Sequence, residues 1–167
     1  LERAVVEVLY CTGVRRAELL ALDVFDIDHK ERTLLVRAGK GEKPRLLPIT
    51  PTCYEALSRY LEYGRPELER APLEALFLGP RGVRLNQATL MRILHRLGDR
   101  AGLSVRVTPH CFRRTCATGL LKNGTNLRVI QAVLGHSNLE ATSVYLCLSP
   151  GEVRSEVLSR HPRERFE

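Results

Sequence analysis

The sequence predicts a mainly α-helical domain that contains one small antiparallel β-sheet. Several segments carry apolar residues at helical spacing, and they begin at a Ser, Thr or Asn cap or end at a glycine. Two short apolar runs enclose a glycine-rich turn, which is the pattern of a β-hairpin. With 167 residues, of which 44% are hydrophobic and 27% charged, the chain suits a single globular domain with a buried core.

The first part of the chain predicts two helices and the hairpin. An apolar helical pattern runs from the first residue to Gly13, a residue type that often ends helices, and a second helical turn begins near Arg15. Residues 33–38 and 45–49 are the two predicted strands. Pro48 has no N–H to donate to a neighbouring strand, so we expect the second strand at a sheet edge.

The middle of the chain predicts two amphipathic helices. The first covers residues 50–64 and ends at Gly64, and the second covers residues 86–102. Between them, the stretch "LFLGPRG" at residues 76–82 predicts a short strand and a turn.

The last third predicts further helices with clear start signals. Thr108 is a typical cap and Pro109 a typical first helical residue for a helix over residues 108–124, and residues 126–135 form a short helix. Two more helix starts follow from capping-box spacing. These boxes are Ser137 with Glu140 and Ser149 with Glu152, the latter with Pro150 between them.

The charge of the chain points to an anionic partner. The net charge is +7, and 22 of the 26 basic residues are Arg. Because the planar guanidinium grips phosphate oxygens with two donors at once, this bias favours nucleic acid. A GC-rich coding sequence also raises the Arg content, so charge alone leaves the partner open.

The cysteines and the hydropathy point to a soluble protein of the cytosol. Five Cys, an odd number without any CxxC pair, argue against a disulfide framework and for reduced thiols. No apolar run approaches the roughly 20 residues of a membrane helix, and the N-terminus lacks a signal-peptide layout. The only Met is Met91, and a helical pattern is already running at residue 1, so we expect a piece of a longer protein.

Polar residues at three places suggest a site for phosphate. His110 and Arg113 lie three residues apart on the first turn of a capped helix, where the helix N-terminus favours anions. Arg15 follows a tight turn, and Glu18 lies where its carboxylate can fix the guanidinium. Lys40 sits at the glycine-rich hairpin tip, where the backbone can approach a ligand closely. Each of these has an alternative interpretation: a solvated helix start, a surface ion pair worth roughly 0.2–0.5 kcal/mol, and a solvated turn lysine.

The stretch "LGHSNLEATSVYLCL" contains two further candidates. His136 lies between Gly135 and the following helix cap, at a junction where side chains point outward. Tyr145 falls two turns into that helix beside an apolar stripe, so periodicity alone favours a packing role at the edge of the core.

A zinc site is the other chemistry that these residue types suggest. The nominal ligands are His110, Cys111, Cys116 and His136. Adjacent His and Cys on a helix point to different faces, and a five-residue step turns the second thiol away from the first. The spacing therefore argues against zinc.

In chain order, "CTGVRRAEL", "GKGEKPRLLPI", "TPHCFRRTCATGLL" and "VLGHSNLEATSVY" resemble the catalytic domain of the tyrosine recombinases, the phage integrase family. The bacterial Xer-type enzymes are the most similar group, and the resemblance runs from residue 1 to the C-terminal tail. It implies the DNA breaking-rejoining fold and a set of catalytic positions. The positions implied are Arg15, Lys40, His110, Arg113, His136 and Tyr145, with Glu18 supporting the first Arg.

The resemblance also implies the reaction and the role of each residue. Site-specific recombination proceeds by attack of a Tyr on a DNA phosphate, which forms a covalent 3′-phosphotyrosine, without metal or cofactor. Tyr145 is then the nucleophile, and His110 receives its proton. Arg15 and Arg113 hold the non-bridging oxygens. Lys40 protonates the leaving 5′ oxygen, and His136 bonds a phosphate oxygen.

Further expectations concern the partners and the extent of the domain. DNA contacts are assigned to Arg16, Lys43, Arg45 and Arg114, of which Arg114 departs from the His that most family members carry. Residues 1–167 are expected to form a catalytic domain that lacks its first residues and the N-terminal core-binding domain, with residues 150–167 as a C-terminal helix and tail. That tail either docks on a neighbouring subunit or is a frayed end.

The expected partner is double-stranded DNA, bound by a homo- or hetero-tetramer, with no membrane involved. Two other readings of function remain: a DNA-binding module with an inert site, and a type IB topoisomerase-like strand transferase. Because all the expected catalytic positions are filled, the sequence favours the recombinase.

Overall fold

The computed structural model describes residues 1–37, 44–135 and 150–164. In these parts the chain is mainly helical, and its strands form one antiparallel sheet, as predicted. The helices are α1 (Glu2–Thr12), α2 (Arg16–Ala21), α3 (Pro51–Arg59), α4 (Arg65–Leu68), α5 (Gln87–Arg100), α6 (Pro109–Lys122), α7 (Leu127–Leu134) and α8 (Pro150–Arg160).

The sheet has the order β1-β2-β3 and carries the hairpin at one end. Its strands are β1 (Ile27–Asp28), β2 (Thr33–Val36) and β3 (Arg45–Pro48). Val36 and Arg45 form the pair next to the connection between β2 and β3, and residues 38–43 belong to that connection in the sequence. β3 lies at the edge of the sheet, as Pro48 predicted.

The core forms around α1, which packs against both α3 and α6. Its inward residues recur at helical spacing and are almost fully buried; they are Ala4, Val5, Val8 and Leu9. α1 ends at Gly13, whose φ of 60° lies in the left-handed region. An added Cβ there would lie 2.9 Å from a side-chain carbon of Leu134, so glycine also permits close packing against α7. The turn at Gly13 therefore leads from α1 to Arg15, two residues further along the chain.

Helix starts agree well with their sequence signals. Thr50, Asn86, Thr108 and Asn126 each accept a hydrogen bond from the first turn of the helix that follows. α8 begins at Pro150, the position that the second capping box predicted.

Two predictions about the middle of the chain were wrong. The helix that begins after Thr50 does not end at Gly64, because Tyr60–Gly64 forms a π-helical turn that continues into α4. Gly64 has an ordinary right-handed helical conformation with φ −82°, so nothing in its backbone stops the helix. The stretch 76–82 contains the predicted turn, but the predicted strand is absent there, since Leu78 forms only a single bridge with Arg84. β1 was not predicted, because two residues are too short to show a period.

The C-terminal segment packs on its own chain over residues 150–164. α8 contacts β3 and α7, and His161 is fully buried. Arg163 donates from Nε and Nη2 to both carboxylate oxygens of Glu7, at 2.9 and 2.8 Å. Residues 150–164 are therefore packed against the rest of their own chain, and docking of the tail on a neighbouring subunit stays a prediction.

Within the described residues, no helix is both long and apolar enough to cross a membrane. The predicted positions Lys40, Lys43, His136 and Tyr145, and the capping box of Ser137 and Glu140, lie outside the described residues.

Candidate active site

An open cavity of about 440 Å³ lies where α2, α5 and α6 meet. It gathers Arg15, His110 and Arg113, three of the predicted catalytic residues, from distant parts of the sequence. The lining is completed by Val14, Arg16, Met91, Thr108 and Pro109. Because two of the three gathered side chains are guanidinium cations, the cavity is suited to an anion.

Arg113 is fixed by the ends of two other helices. Its Nη1 donates to the carbonyl of Gly13 at 2.8 Å, and its Nη2 donates to the carbonyl of Leu134 at 2.6 Å. These carbonyls lie at the C-terminal ends of α1 and α7, where the helix dipole carries partial negative charge. The side chain of Arg113 is thus held in one position before any ligand arrives.

Arg15 is held by Glu18, as the spacing of three predicted. The carboxylate accepts from Arg15 Nη1 at 3.1 Å and from the Arg15 main-chain N–H at 2.7 Å, so Glu18 ties the start of α2 to its own first turn. Arg15 Nη2 also donates to the carbonyl of Gly135 at 2.9 Å. The guanidinium therefore connects α2 to the end of α7.

The C-terminal end of α7 accepts a hydrogen bond from a different arginine at each of three successive carbonyls. Val133 accepts from Arg45 at 3.0 Å, Leu134 from Arg113 and Gly135 from Arg15. Gly135 has a φ of 63°, a conformation that glycine adopts without strain. His136 is the next residue of the chain. Gly135, which precedes His136, is therefore bonded to Arg15, and its neighbour Leu134 is bonded to Arg113.

His110 lies on the first turn of α6 and is exposed. The turn is ordered by Thr108, whose hydroxyl accepts from the N–H of Cys111 at 3.4 Å. Since His110 and Arg113 line the same cavity, the structure agrees with the shared face that their spacing of three predicted. An anion in this cavity would lie near both side chains and near the N-terminus of α6.

The electrostatics of the site centre on Glu18. Burial disfavours its charged form, but hydrogen bonds from Arg45 and from the Arg15 main chain favour that form, and the two positive charges add to the effect. The net result is a pKa of Glu18 below its ordinary value of 4.5. Glu18 is therefore a carboxylate at neutral pH and offsets part of the positive charge.

Arg45 lies in a setting that the sequence interpretation did not anticipate. It was predicted as a DNA contact, yet only 11% of its side chain is exposed. Its Nη1 and Nη2 donate to the two oxygens of Glu18 at 2.8 Å each. A signal was present in the sequence, because the strand period of two places Arg45 on the same face as Leu47, which is buried.

The other predicted DNA contacts within the described residues are exposed. Arg16 lines the rim of the cavity, and Arg114 follows Arg113 on α6 with its side chain toward solvent. Among the described residues, no group of three or more His, Cys, Asp or Glu side chains is arranged to hold a metal ion.

The described residues thus combine a helical domain that has one small sheet with an open cavity lined by Arg15, His110 and Arg113, whose charge suits an anion. The chain belongs to the phage integrase family, whose model matches residues 1–151.

Within that family the chain is similar to Xer recombinases. It is 41% identical to tyrosine recombinase XerD of Mycobacterium tuberculosis over 165 residues, which cover 98% of this chain and 53% of the relative. It is 40% identical to tyrosine recombinase XerC of Anoxybacillus flavithermus, covering 96% of this chain and 54% of that relative. The chain thus spans about half the length of these relatives.

Solved structures give the same relationship. The crystal structure of XerA recombinase matches with a TM-score of 0.76 and 36% identity, over 99% of this chain and 59% of that one. The pre-cleavage complex of XerH site-specific recombinase bound to difH substrate matches with a TM-score of 0.70 and 26% identity, over 92% of this chain and 45% of that one. The fold is therefore that of the tyrosine recombinase catalytic domain.

Proposed function

We propose that the protein containing this chain is a site-specific recombinase that cleaves and rejoins double-stranded DNA through Tyr145. The observation that carries the proposal is the cavity that Arg15, His110 and Arg113 line together, with both arginines bonded to main-chain carbonyls. The family membership and the Xer relatives support the same reaction.

In the proposed cleavage step, the Tyr145 oxygen attacks a DNA phosphorus atom. A bond forms between that oxygen and phosphorus, and the bond from phosphorus to the 5′ oxygen of the next nucleotide breaks. The phenol has an ordinary pKa near 10, so it requires a base, and His110 receives its proton. Lys40 donates a proton to the departing 5′ oxygen. A later attack by a 5′-hydroxyl reverses the step without any outside energy source.

Arg15 and Arg113 stabilise the transition state in this proposal. Negative charge builds on the non-bridging oxygens as the pentacovalent phosphorus forms, and both guanidinium groups face the cavity in which that phosphate would sit. A guanidinium has five N–H donors, so bonds to the carbonyls of Gly13, Leu134 and Gly135 are compatible with bonds to phosphate. Since these bonds exist beforehand, little reorganisation is required at the moment of reaction. His136 supplies one more hydrogen bond to a phosphate oxygen.

The proposal extends to the partners and the setting of the reaction. Double-stranded DNA is the substrate, four protomers assemble on it as a homo- or hetero-tetramer, and the reaction takes place in the prokaryotic cytosol. The net charge of +7 and the exposed Arg16 and Arg114 support a DNA substrate.

A covalent-trapping experiment tests the reaction. The protein, at its natural full length, is offered duplexes selected from a randomised pool for binding to it, in versions whose nick is moved one nucleotide at a time. A nick beside the cleavage position lets a short fragment diffuse away and traps the covalent adduct, which denaturing gels reveal. We expect an adduct with the wild type and none with Tyr145→Phe.

A second variant separates chemistry from affinity. Arg113→Ala is expected to lose the adduct by about 100-fold or more while it still binds the same duplexes. Absence of an adduct from the wild type at every nick position, or an adduct with Tyr145→Phe, would refute the proposed function. If the wild type binds the selected duplexes without cleaving any of them, the protein is a DNA-binding module with an inert site.

A further inference from the structure

Arg45 joins three parts of the molecule through one buried guanidinium. It is the first residue of β3, its Nη atoms bond both oxygens of Glu18, and its Nε donates to the carbonyl of Val133 near the end of α7. An added Cβ on Gly135 would lie 3.0 Å from Arg45 Cζ, so the guanidinium also packs closely against the last turn of α7. A side chain with only 11% exposure in this position has little surface to offer a DNA backbone.

Glu18 is shared between this guanidinium and that of Arg15. Its Oε1 accepts from Arg45 Nη1 at 2.8 Å and from Arg15 Nη1 at 3.1 Å. Two bonds from Arg45 fix the plane of the carboxylate, because the fork of donors matches the two oxygens. Arg45 therefore acts on the Nη1 side of Arg15 through this carboxylate, while Nη2 of Arg15 bonds the carbonyl of Gly135.

The sequence position of Arg45 adds a second connection. Val36 and Arg45 are the last strand pair before the segment that connects β2 to β3, and Lys40 lies in that segment of the sequence. Arg45 bonds from this strand end to the end of α7, the residue stretch that precedes His136. The side chain of Arg45 thus connects the first residue of β3 to Glu18, which also bonds Arg15, and to the C-terminal end of α7.

We propose that Arg45 is a positioning residue for DNA cleavage, which holds Arg15 in place for the phosphate through Glu18 and the end of α7. This role rests on the proposed recombinase function and differs from the DNA contact that the sequence suggested. Arg45 acts through Glu18 and the α7 carbonyl, and it does not touch the substrate. Its loss should slow the chemical step and leave the binding of DNA intact.

The test compares Arg45→Lys with a matched control, Arg65→Lys, in the full-length protein. Arg65 is also 11% exposed, pairs with the carboxylate of Glu69 at 2.9 Å and donates to the main-chain carbonyls of Leu73 and Ala75, but it does not line the cavity. Lysine keeps the charge in both variants and loses the two-pronged geometry. Both are first checked for a cooperative unfolding transition, and Arg45→Gln replaces Arg45→Lys if the latter does not fold.

The readout is the single-turnover rate of covalent adduct formation at saturating nicked duplex, together with the salt dependence of binding to that duplex. For Arg45→Lys we expect a rate about 10- to 100-fold below wild type, with affinity within about twofold and an unchanged salt slope. Arg65→Lys should cleave at the wild-type rate. In the double variant that combines Arg45→Lys with Glu18→Gln, the cleavage rate should be no lower than in the slower of the two single variants. The reason is that both substitutions disrupt the same pair of hydrogen bonds between Arg45 and Glu18.

Three results would overturn the proposal. A normal rate at saturation with weaker binding and a salt slope reduced by about one would make Arg45 a DNA contact. An equal rate loss in Arg65→Lys would make the effect a general destabilisation. Full additivity of Arg45→Lys and Glu18→Gln would exclude action through Glu18. Failure of the recombinase function itself is a separate outcome, since the wild type would then form no adduct at all.

Discussion

Glu18 shows at the scale of one residue how the site tolerates several cations in a small volume. Arg15 and Arg45 both bond its carboxylate, whose side chain is only 10% exposed. Two guanidinium groups this close repel one another unless an anion lies between them. The spacing of three from Arg15 was enough to predict the first bond. The bond to Arg45, which is 27 residues away in sequence, depends on the fold, and no local pattern encodes it.

Replacement of this carboxylate should change both stability and its pH dependence. Glu18→Gln leaves two partly buried guanidinium groups without their counter-charge, so we expect the free energy of unfolding to fall by about 3 kcal/mol at neutral pH. Because folding lowers the pKa of Glu18 below 4.5, its contribution is complete above that pH. It is lost as the pH falls through the lower, folded-state value.

Urea unfolding at a series of pH values measures this prediction. The difference between wild type and Glu18→Gln should be constant from about pH 7 to pH 5 and shrink below pH 4.5. Arg37 pairs with Asp23 and Asp26 away from the cavity. Asp23→Asn is therefore the matched control for loss of a buried carboxylate. A difference between wild type and Glu18→Gln that persisted unchanged to pH 2 would contradict the role of the ionised carboxylate.

Cys111 and Cys116 are predicted to differ in reactivity, because their thiols differ in burial and in hydrogen bonds. The partly exposed thiol of Cys111 has a pKa below its ordinary value of 9.0. The main cause is the hydrogen bond with the Thr108 side chain, and a main-chain hydrogen bond of Thr108 adds to it. Burial raises the pKa of Cys116 to about 12. Because the thiolate is the reactive form, Cys111 should be alkylated at neutral pH while Cys116 stays unmodified in the folded protein.

Iodoacetamide labelling followed by peptide mass spectrometry measures this difference. Thr108→Val should slow the labelling of Cys111, because it removes the side-chain hydrogen bond that favours the thiolate. Labelling in urea should modify both thiols. Equal rates at Cys111 and Cys116 in the native protein would contradict the burial of Cys116.

At the scale of elements, the sequence predicted the helix ends that depend on residues close to them in the chain. The caps and the left-handed glycines at positions 13 and 135 set helix ends in both sequence and structure. The sequence did not predict the continuation past Gly64, because a glycine can adopt a right-handed helical φ when the next turn is held elsewhere. Here Arg65 is buried and bonds the carbonyl of Ala75. That contact spans ten residues and follows neither the helical nor the strand period, so no pattern in the sequence indicates it.

The docking of the C-terminal segment on α6 makes a prediction about Gly119. A glycine inside a helix usually costs about 0.5–1 kcal/mol relative to alanine, so Gly119→Ala would ordinarily stabilise α6. In this structure an added Cβ would lie 2.5 Å from Cγ of Pro162. We therefore expect Gly119→Ala to lower the thermal midpoint, because the turn Pro162–Glu164 has to move away and the pair of Arg163 with Glu7 is strained.

Pro162→Ala provides the matched control for this effect. Removal of the ring makes room for the new methyl group, so the double variant should recover the midpoint of Pro162→Ala or exceed it. A Gly119→Ala variant more stable than wild type would mean that residues 162–164 do not rest on α6 in solution.

At the scale of the whole molecule, the fold turns separate weak motifs into one site. Arg15 lies between α1 and α2, Arg45 on β3 and Arg113 on α6, and the end of α7 bonds all three. The family resemblance identified which residues to expect, whereas periodicity by itself favoured solvent or packing roles for most of them. The distinction between an exposed arginine available to DNA and a buried one that holds the site together showed only partly in the sequence, through the strand period that places Arg45 on the face of buried Leu47. That distinction depends on burial.

The same distinction predicts how DNA binding responds to salt. Each arginine that neutralises a phosphate releases counterions, so its loss reduces the slope of log affinity against log salt by about 0.9. Arg16, which lines the cavity, and Arg114, which follows Arg113 on α6, are both exposed and are predicted DNA contacts. Arg16→Ala and Arg114→Ala should therefore each lower the slope by about that amount. Arg59, exposed on α3 and 3.8 Å from Glu55, is the matched control. Fluorescence anisotropy with a labelled duplex between about 50 and 200 mM salt measures the slopes. An unchanged slope in both variants, or an equal change in Arg59→Ala, would show that DNA does not lie across the cavity face.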